Sequence, residues 1–313
     1  MQLTHTTRDQ AMPRPKSDTA RSLNDYAHFR IGEMTISLRS DLEEVAADFG
    51  GLYEDCCQTD TPGDPGIRIE VKREKRSFLG GKQYVICGDG EALWTTRRPN
   101  EVLPYVEWGI NWRVIATRAD YLQLHAATMA HDGQGVIFAA KSGAGKSTLA
   151  AGLLSRGWGY LSDEFALIHP ETLRVHPFPK AVCIKSGAFN VVEGLNLPLW
   201  QRRHYVKAFK GRVGYLPPYR LGANSVGGPC PVRHVVFPRY TQGARPRLRE
   251  ISRADAAFRL AASALNRHVF GHRATSIVSD VVRGADCFDL ECGAIDETCD
   301  VVESLIQGQR PSD

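Results

Sequence analysis

No apolar run in the 313-residue chain approaches the roughly 18 residues that a membrane-spanning helix needs. The cleanest stretch, Val136 to Ala140, is only strand-sized. The polar start, Met1 to Ser22, has cations but no apolar centre, so it does not read as a secretory leader, and a cytoplasmic protein is expected. The eight cysteines form no CxxC pair and no His/Cys cluster at zinc spacing, which reads as reduced thiols rather than a disulfide frame or a zinc site. Most conspicuous is a gap in acid. Between Glu193 and Glu250 there is no carboxylate, while eleven Lys and Arg fall there, Arg202, Arg203, Lys207, Lys210 and Arg212 among them. Such a stretch suits an anion-binding face, or a solvated loop whose charges are met elsewhere in the fold.

What is present is ordinary globular material, with 42% hydrophobic and 24% charged residues and a net charge of +4. Residues 1–25 and 309–313 are expected as tails, 26–119 as a small α+β domain and 120–308 as a larger α/β domain. Met34, Ile36 and Leu38 alternate as in a strand. Ser40 and Glu43 have the spacing of a capping box, and Gly50-Gly51 is expected to stop the helix that follows. Residues 61–66 form a turn cluster, and Gly88-Asp89-Gly90 predicts a hairpin between Tyr84–Ile86 and Ala92–Trp94. From Asn100, a candidate N-cap, Leu103, Val106, Ile110 and Val114 recur at helical intervals. Tyr121–Thr128 and Gly135–Ala139 then read as two strands, and helices are expected from Ser252 and over Ile295–Ile306.

The sharpest motif is Ala140-Lys-Ser-Gly-Ala-Gly-Lys-Ser147 with Thr148, set between a strand and a helix. It matches the phosphate-loop pattern G-x-x-x-x-G-K-[ST] except that its first position is Ala140. Glycines 143 and 145 would let backbone N–H groups turn toward phosphate oxygens at a helix N-terminus. Ser142, Gly143, Ala144, Gly145, Lys146, Ser147 and Thr148 are thus the expected ATP contacts, with Lys146 reaching the terminal phosphates and the Ser147 hydroxyl holding Mg²⁺. About sixteen residues on, after a short strand, stand Asp163 and Glu164. Asp163 is placed to take a proton from an acceptor hydroxyl, unless the pair simply opens a turn. His125, between Leu124 and Ala126, reads from position alone as either a core or a functional histidine.

Leu124-His-Ala126, the loop, and Leu153–Glu164 together resemble the C-terminal domain of bacterial HPr kinase/phosphorylase. The blocks Glu107–Trp112, Pro179–Lys185 and Val235–Tyr240 look more like the HPr-kinase-related kinases, so the resemblance runs over roughly 29–306. It implies an α/β fold with a phosphate-loop sheet and flanking helices, Mg²⁺-ATP as cofactor, and assembly into a homo-oligomer. It also implies His125 and Asp163 beside the γ-phosphate, with Glu164 as the second acid and a helper at the metal. The Glu-Ile-Arg-Gly-Leu-Gly signature of true HPr kinases is missing, and no matching N-terminal regulatory domain is apparent. The acceptor is therefore expected to be a hydroxyl on a peptide or small protein other than HPr, or on a small molecule; a nucleotide-switched binding protein is the rival. Arg202, Arg203 and Lys207 are candidate substrate clamps, and a nucleic-acid partner is disfavoured because few aromatics interleave with the cations.

Overall fold

The computed structural model describes residues 25–60, 62–64, 66–77 and 80–308. The expected tails, Asp25 apart, and residues 61 and 65 of the turn cluster lie outside the described residues. The chain opens with the hairpin β1 (Ala27–Ile31) and β2 (Met34–Ser40). In β2 the alternate residues Thr35 and Ser37 are buried along with Met34, Ile36 and Leu38, so the strand is covered on both faces. Helix α1 (Glu43–Leu52) corrects two expectations. The Ser40 hydroxyl bonds to the backbone of Leu42 rather than capping the helix, and the helix runs through Gly50 and Gly51. A Cβ on Gly51 would stand 2.7 Å from the Trp200 ring. Glycine is there for close packing, not as a stop.

Strands β3 (Cys57–Gln58), β4 (Ile67–Ser77), β5 (Gly80–Gly88) and β6 (Glu91–Thr96) complete a six-stranded sheet of order β3-β1-β2-β4-β5-β6. The expected β5–β6 hairpin is present, with Asp89 (φ 49°) and Gly90 (φ 88°) in left-handed conformation at its turn. A 3₁₀ turn over Pro99–Glu101 absorbs Asn100, so helix α2 (Val102–Thr117) is not capped by it. Val102, Val106, Ile110 and Val114 are fully buried on the inner side of α2.

A nine-stranded sheet follows, built on β7 (Leu122–Leu124), β8 (Ala126–His131) and β9 (Gln134–Ala139). The single strand expected over Tyr121–Thr128 is broken at His125. Its N–H bonds the carbonyl of Ser263 at 2.9 Å, and Leu124 bridges Ala264, which draws the chain out of line. After helix α3 (Lys146–Ser155) come β10 (Gly159–Ser162), β11 (Ala166–Ile168) and β12 (Arg174–His176). The chain then leaves the sheet for β13 (Val182–Lys185), α4 (Phe189–Gly194), β14 (Trp200–Lys207) and β15 (Gly211–Leu216); β13, β15 and β14 form a separate three-stranded sheet. It returns through β16 (Cys230–Tyr240) and β17 (Arg247–Glu250), helices α5 (Arg253–Ala262), α6 (Arg267–Phe270) and α7 (Arg273–Arg283), β18 (Asp286–Cys292) and α8 (Ile295–Ile306). The order is β10-β8-β9-β16-β12-β11-β7, with β18 also against β16 and β17 against β18. Strands β9, β16 and β18 run parallel.

Side chains alternate across this sheet. Ala127, Met129, Val136 and Phe138 pack under α3 and α8, whereas Ala126, Ala130, Ile137 and Ala139 pack under α5 and α7. A third core joins α1, α2 and the six-stranded sheet to Phe165, Phe178, Trp200, Tyr205 and Tyr215. The architecture is mixed α/β with several sheets. Among the described residues, no helix is long and apolar enough to cross a membrane.

Candidate functional site

The glycine loop follows β9 and ends at the first residue of α3. Gly143 (φ +94°) and Gly145 (φ +93°) both adopt the left-handed conformation that glycine takes without cost. Among the described residues nothing lies within 4 Å of where a Cβ on Gly143 would stand, and Gly143 borders a cavity. Ala140 is not among the residues at positive φ, and its methyl group therefore imposes no strain. Lys146 is buried and its ammonium folds back onto the carbonyls of Ala140 (2.5 Å) and Lys141 (3.3 Å).

Beside this loop β10 ends at Ser162, whose hydroxyl accepts the N–H groups of Glu164 and Phe165. That turn directs Asp163 at the first turn of α3, where the Ser147 hydroxyl donates to its Oδ2 at 2.8 Å. The other oxygen, Oδ1, is buried without a partner. Burial, with the adjacent Glu164, pushes the Asp163 carboxyl up to about 7 against the pull of Ser147 and Lys146. Burial would raise Glu164 as well, but Lys207, Lys180, His125 and Lys210 outweigh it and hold Glu164 below the usual carboxylate range. The Glu164 carboxylate lies 3.8 Å from His125 Nε2 and 3.9 Å from Lys207 Nζ. Burial and then Lys146 depress His125, favouring neutral imidazole, and burial likewise lowers Lys146. Two adjacent acids are thus driven toward opposite protonation states, the arrangement by which active sites assign roles to paired carboxylates.

These groups line one cavity of about 690 Å³, which Gly143, Lys146, Asp163, Glu164, His125 and Lys207 share. Residues 142–148 face it too, except Ala144. A second, closed space of about 20 Å³ lies behind the acid pair, and Tyr215, Lys180, Glu107 and Asn111 reach it. Lys180 is buried there, donating to the Glu107 carbonyl and to Asn111 Oδ1 (both 2.7 Å) and pairing with the Glu107 carboxylate at 3.0 Å. The Tyr53 hydroxyl binds the same carboxylate at 3.0 Å and accepts the N–H of Ala181.

Of the three candidate substrate clamps, two lie away from the cavity. Arg203 pairs with Asp48 of α1 at 2.9 Å, and Arg202 sits over the Trp200 ring with Asp48 at 4.0 Å; neither lines the cavity. Lys207 does. Part of the acid-free stretch is neutralised from elsewhere: Arg220 meets Glu54, Arg239 meets Glu291 and Arg249 meets Asp289. Sequence reasoning missed Lys180, Lys185 and Lys210. Lys185 and Lys210 line the cavity, and Lys185 reaches Ser142 Oγ at 3.5 Å. The only signal for Lys180 and Lys185 was their place in the block Pro179–Lys185.

Comparison with known proteins places residues 108–192 in similarity to the family described as SynChlorMet cassette protein ScmC. That match spans the glycine loop and the acid pair. No curated protein matches the chain. Among solved structures the chain is similar to the Hpr(Ser) kinase/phosphatase from Coxiella burnetii. The identity is 12% and the TM-score 0.28, over 60% of this chain and 95% of that one.

Proposed function

We propose that the protein is an ATP-dependent kinase that transfers the γ-phosphoryl group to a hydroxyl, on a peptide or small protein. The observation that carries this reading is the contact of Ser147 with Asp163, which ties the glycine loop to a carboxyl raised to about 7. A nucleotide sensor needs the loop but no base poised near neutrality.

The site fits Mg²⁺-ATP: the open space at Gly143 adjoins a cavity of about 690 Å³, with room for phosphate oxygens beside the buried carboxyl of Asp163. Backbone N–H groups of residues 142–148 and the N-terminus of α3 would hold the phosphates. Lys146, now on the Ala140 carbonyl, would face the phosphates and supply positive charge there. Ser147 and Glu164 would hold the metal. The described residues contain no group of three or more His, Cys, Asp or Glu that could hold a metal, and a Mg²⁺ bound mainly by phosphate and water requires none. Bound there, Mg²⁺-ATP supplies the phosphoryl group and neutralises its charge. Asp163 receives the acceptor's proton on Oδ1 while Oδ2 keeps its bond to Ser147. Neutral His125 orients the Glu164 carboxylate beside it.

The test is transfer of γ-labelled phosphate from Mg²⁺-ATP into a size-fractionated extract of the source cells. Asp163→Asn is expected to slow transfer about 10²–10⁴-fold, the usual contribution of a general base, while ATP binding persists. Unchanged transfer removes Asp163 from the mechanism. Label confined to small molecules overturns the peptide acceptor, and ATP binding with no labelling at all makes the protein a sensor.

A further inference from the structure

Helix α2 is apolar on more than its inner side. Tyr105, Trp108 and Trp112 recur at intervals of three and four, so they form one stripe along the helix. Trp112 is 54% exposed, and Tyr105 and Trp108 are half-buried. Trp94 of β6 stacks against this stripe, 5.5 Å from Trp108 with the planes 8° apart and 6.0 Å from Tyr105 at 22°. The result is a shelf of three near-parallel, half-buried rings, Trp94, Tyr105 and Trp108, with Trp112 exposed one turn further along the helix. A helix that is hydrophobic all round belongs in an interior, and large aromatic side chains left at a surface are the composition of binding sites.

None of these rings lines the cavity, and buried Lys207 links the two. Lys207 Nζ lies 5.7 Å over the Trp108 ring and 3.9 Å from the Glu164 carboxylate, so a single side chain separates aromatic stripe from acid pair. Just beyond Lys207 the β14–β15 turn carries Phe209, wholly exposed and at φ 60°. A non-glycine residue in that conformation costs about 1–2 kcal/mol, and Phe209 recovers nothing from packing within the chain. Next to it Lys210, and from β13 Lys185, face the cavity. The cavity, at about 690 Å³, has the size of a site for one small ligand. On the kinase reading a nucleotide would fill it, and the acceptor would reach in from the rim.

Resting on the kinase reading, we infer that Trp94, Tyr105, Trp108, Trp112 and Phe209 dock the acceptor, and that the acceptor is a polypeptide segment with apolar and acidic side chains around its hydroxyl residue. The rings take the apolar side chains. Lys185 and Lys210, which line the cavity, complement the acidic ones.

Binding and chemistry can be read separately. The probes are three fluorescein-labelled degenerate peptide mixtures with a central serine, flanked by Leu/Phe with Asp/Glu, by Leu/Phe with Lys/Arg, or by Gly/Ala. Anisotropy is measured with Mg²⁺ and a non-hydrolysable ATP analogue. The acidic-apolar mixture is expected to bind at least about tenfold tighter than the others, and the double variant Trp112→Ser/Phe209→Ser to lose about tenfold of that affinity, as for truncated aromatic anchors. Nucleotide affinity and thermal midpoint should not move, because both side chains are exposed. Lys210→Glu should turn the preference toward the basic mixture. Equal binding of the three mixtures, or unchanged affinity in the double variant, overturns the inference. So does a wild-type dimer that the double variant converts to monomer, since the shelf then seats a second copy. Peptide bound through the shelf but never labelled would sink the kinase reading and leave the docking surface; label transfer indifferent to the shelf variants would do the reverse.

Discussion

Position 140 shows how far a motif can be trusted at single residues. The pattern asks for glycine there, but the residue does not occupy the left-handed region and contributes a carbonyl, which Ala and Gly offer alike. Ala140→Gly should therefore leave ATP affinity within about twofold. Gly143→Ala is the contrast: φ +94° is strained for any L-residue even though the space around it is open. The loop is expected to relax out of that conformation rather than hold a strain of about 1–3 kcal/mol, so ATP binding should weaken about tenfold or more by equilibrium titration while thermal unfolding moves little. Asp163 gives a further prediction with a definite sign. Its folded-state carboxyl is raised from 3.8 to about 7, so the folded protein holds a proton that the unfolded chain has lost across that window. Stability conferred relative to the unfolded chain then declines as pH rises toward 7. Asp163→Asn removes this dependence, and its thermal midpoint relative to wild type should rise between pH 5 and pH 8. A constant difference would show that the carboxyl does not titrate there. The loop and acid pair were legible because each is a contiguous run with its chemistry inside it. Arg202 and Arg203 were not, because the carboxylate that claims Arg203 lies 155 residues away.

Elements were legible where their pattern was local and misread where a distant element intervened. Helices over Ile295–Ile306 and from Ser252 follow their periodicity, and the Ser252 hydroxyl caps α5 by accepting the Asp255 N–H. The run from Tyr121 has the composition of one strand, yet the end of α5 takes the His125 N–H and divides it, which sets His125 beside Glu164. Trp200 packing over Gly51 let α1 pass a glycine pair that would otherwise end it. The join between α2 and the segment before β13 was equally invisible, because nothing in either stretch announces that Glu107 and Lys180 form a buried pair. Removing one partner strands the other's charge. Lys180→Met should cost about 3–5 kcal/mol in denaturant unfolding, and Glu107→Gln added to it should recover a large part. If the double variant is no more stable than Lys180→Met, the pair is not what holds α2 against the segment before β13.

At the scale of the whole molecule, the composition suggests a small α+β domain followed by a larger one, with a boundary near residue 119. The six-stranded sheet does draw only on residues before that point and the larger sheet only on residues after it. Their packing is not divided in the same place. One hydrophobic core contains Phe29, Phe49, Tyr53 and Ile110 together with Phe165, Phe178, Trp200, Tyr205 and Tyr215. Sequence periodicity reports which face of an element is apolar but not which partner covers it, so a shared core leaves no mark in the chain. The consequence is testable by division. A polypeptide of residues 120–313 would expose those five aromatics, each worth about 1.5–3 kcal/mol of burial, a loss comparable to the whole stability of a typical domain. It would also lose Glu107, which pairs with Lys180 beneath the acid pair, and Tyr53, which bonds Glu107 and accepts the Ala181 N–H. Expressed alone, it should bind a hydrophobic dye and unfold without a cooperative transition, and co-expression with residues 1–119 should restore both cooperativity and ATP binding. A monodisperse, cooperatively unfolding 120–313 fragment would establish the larger half as independent, and would reduce the first layer to an attachment that carries the aromatic shelf without supporting the site.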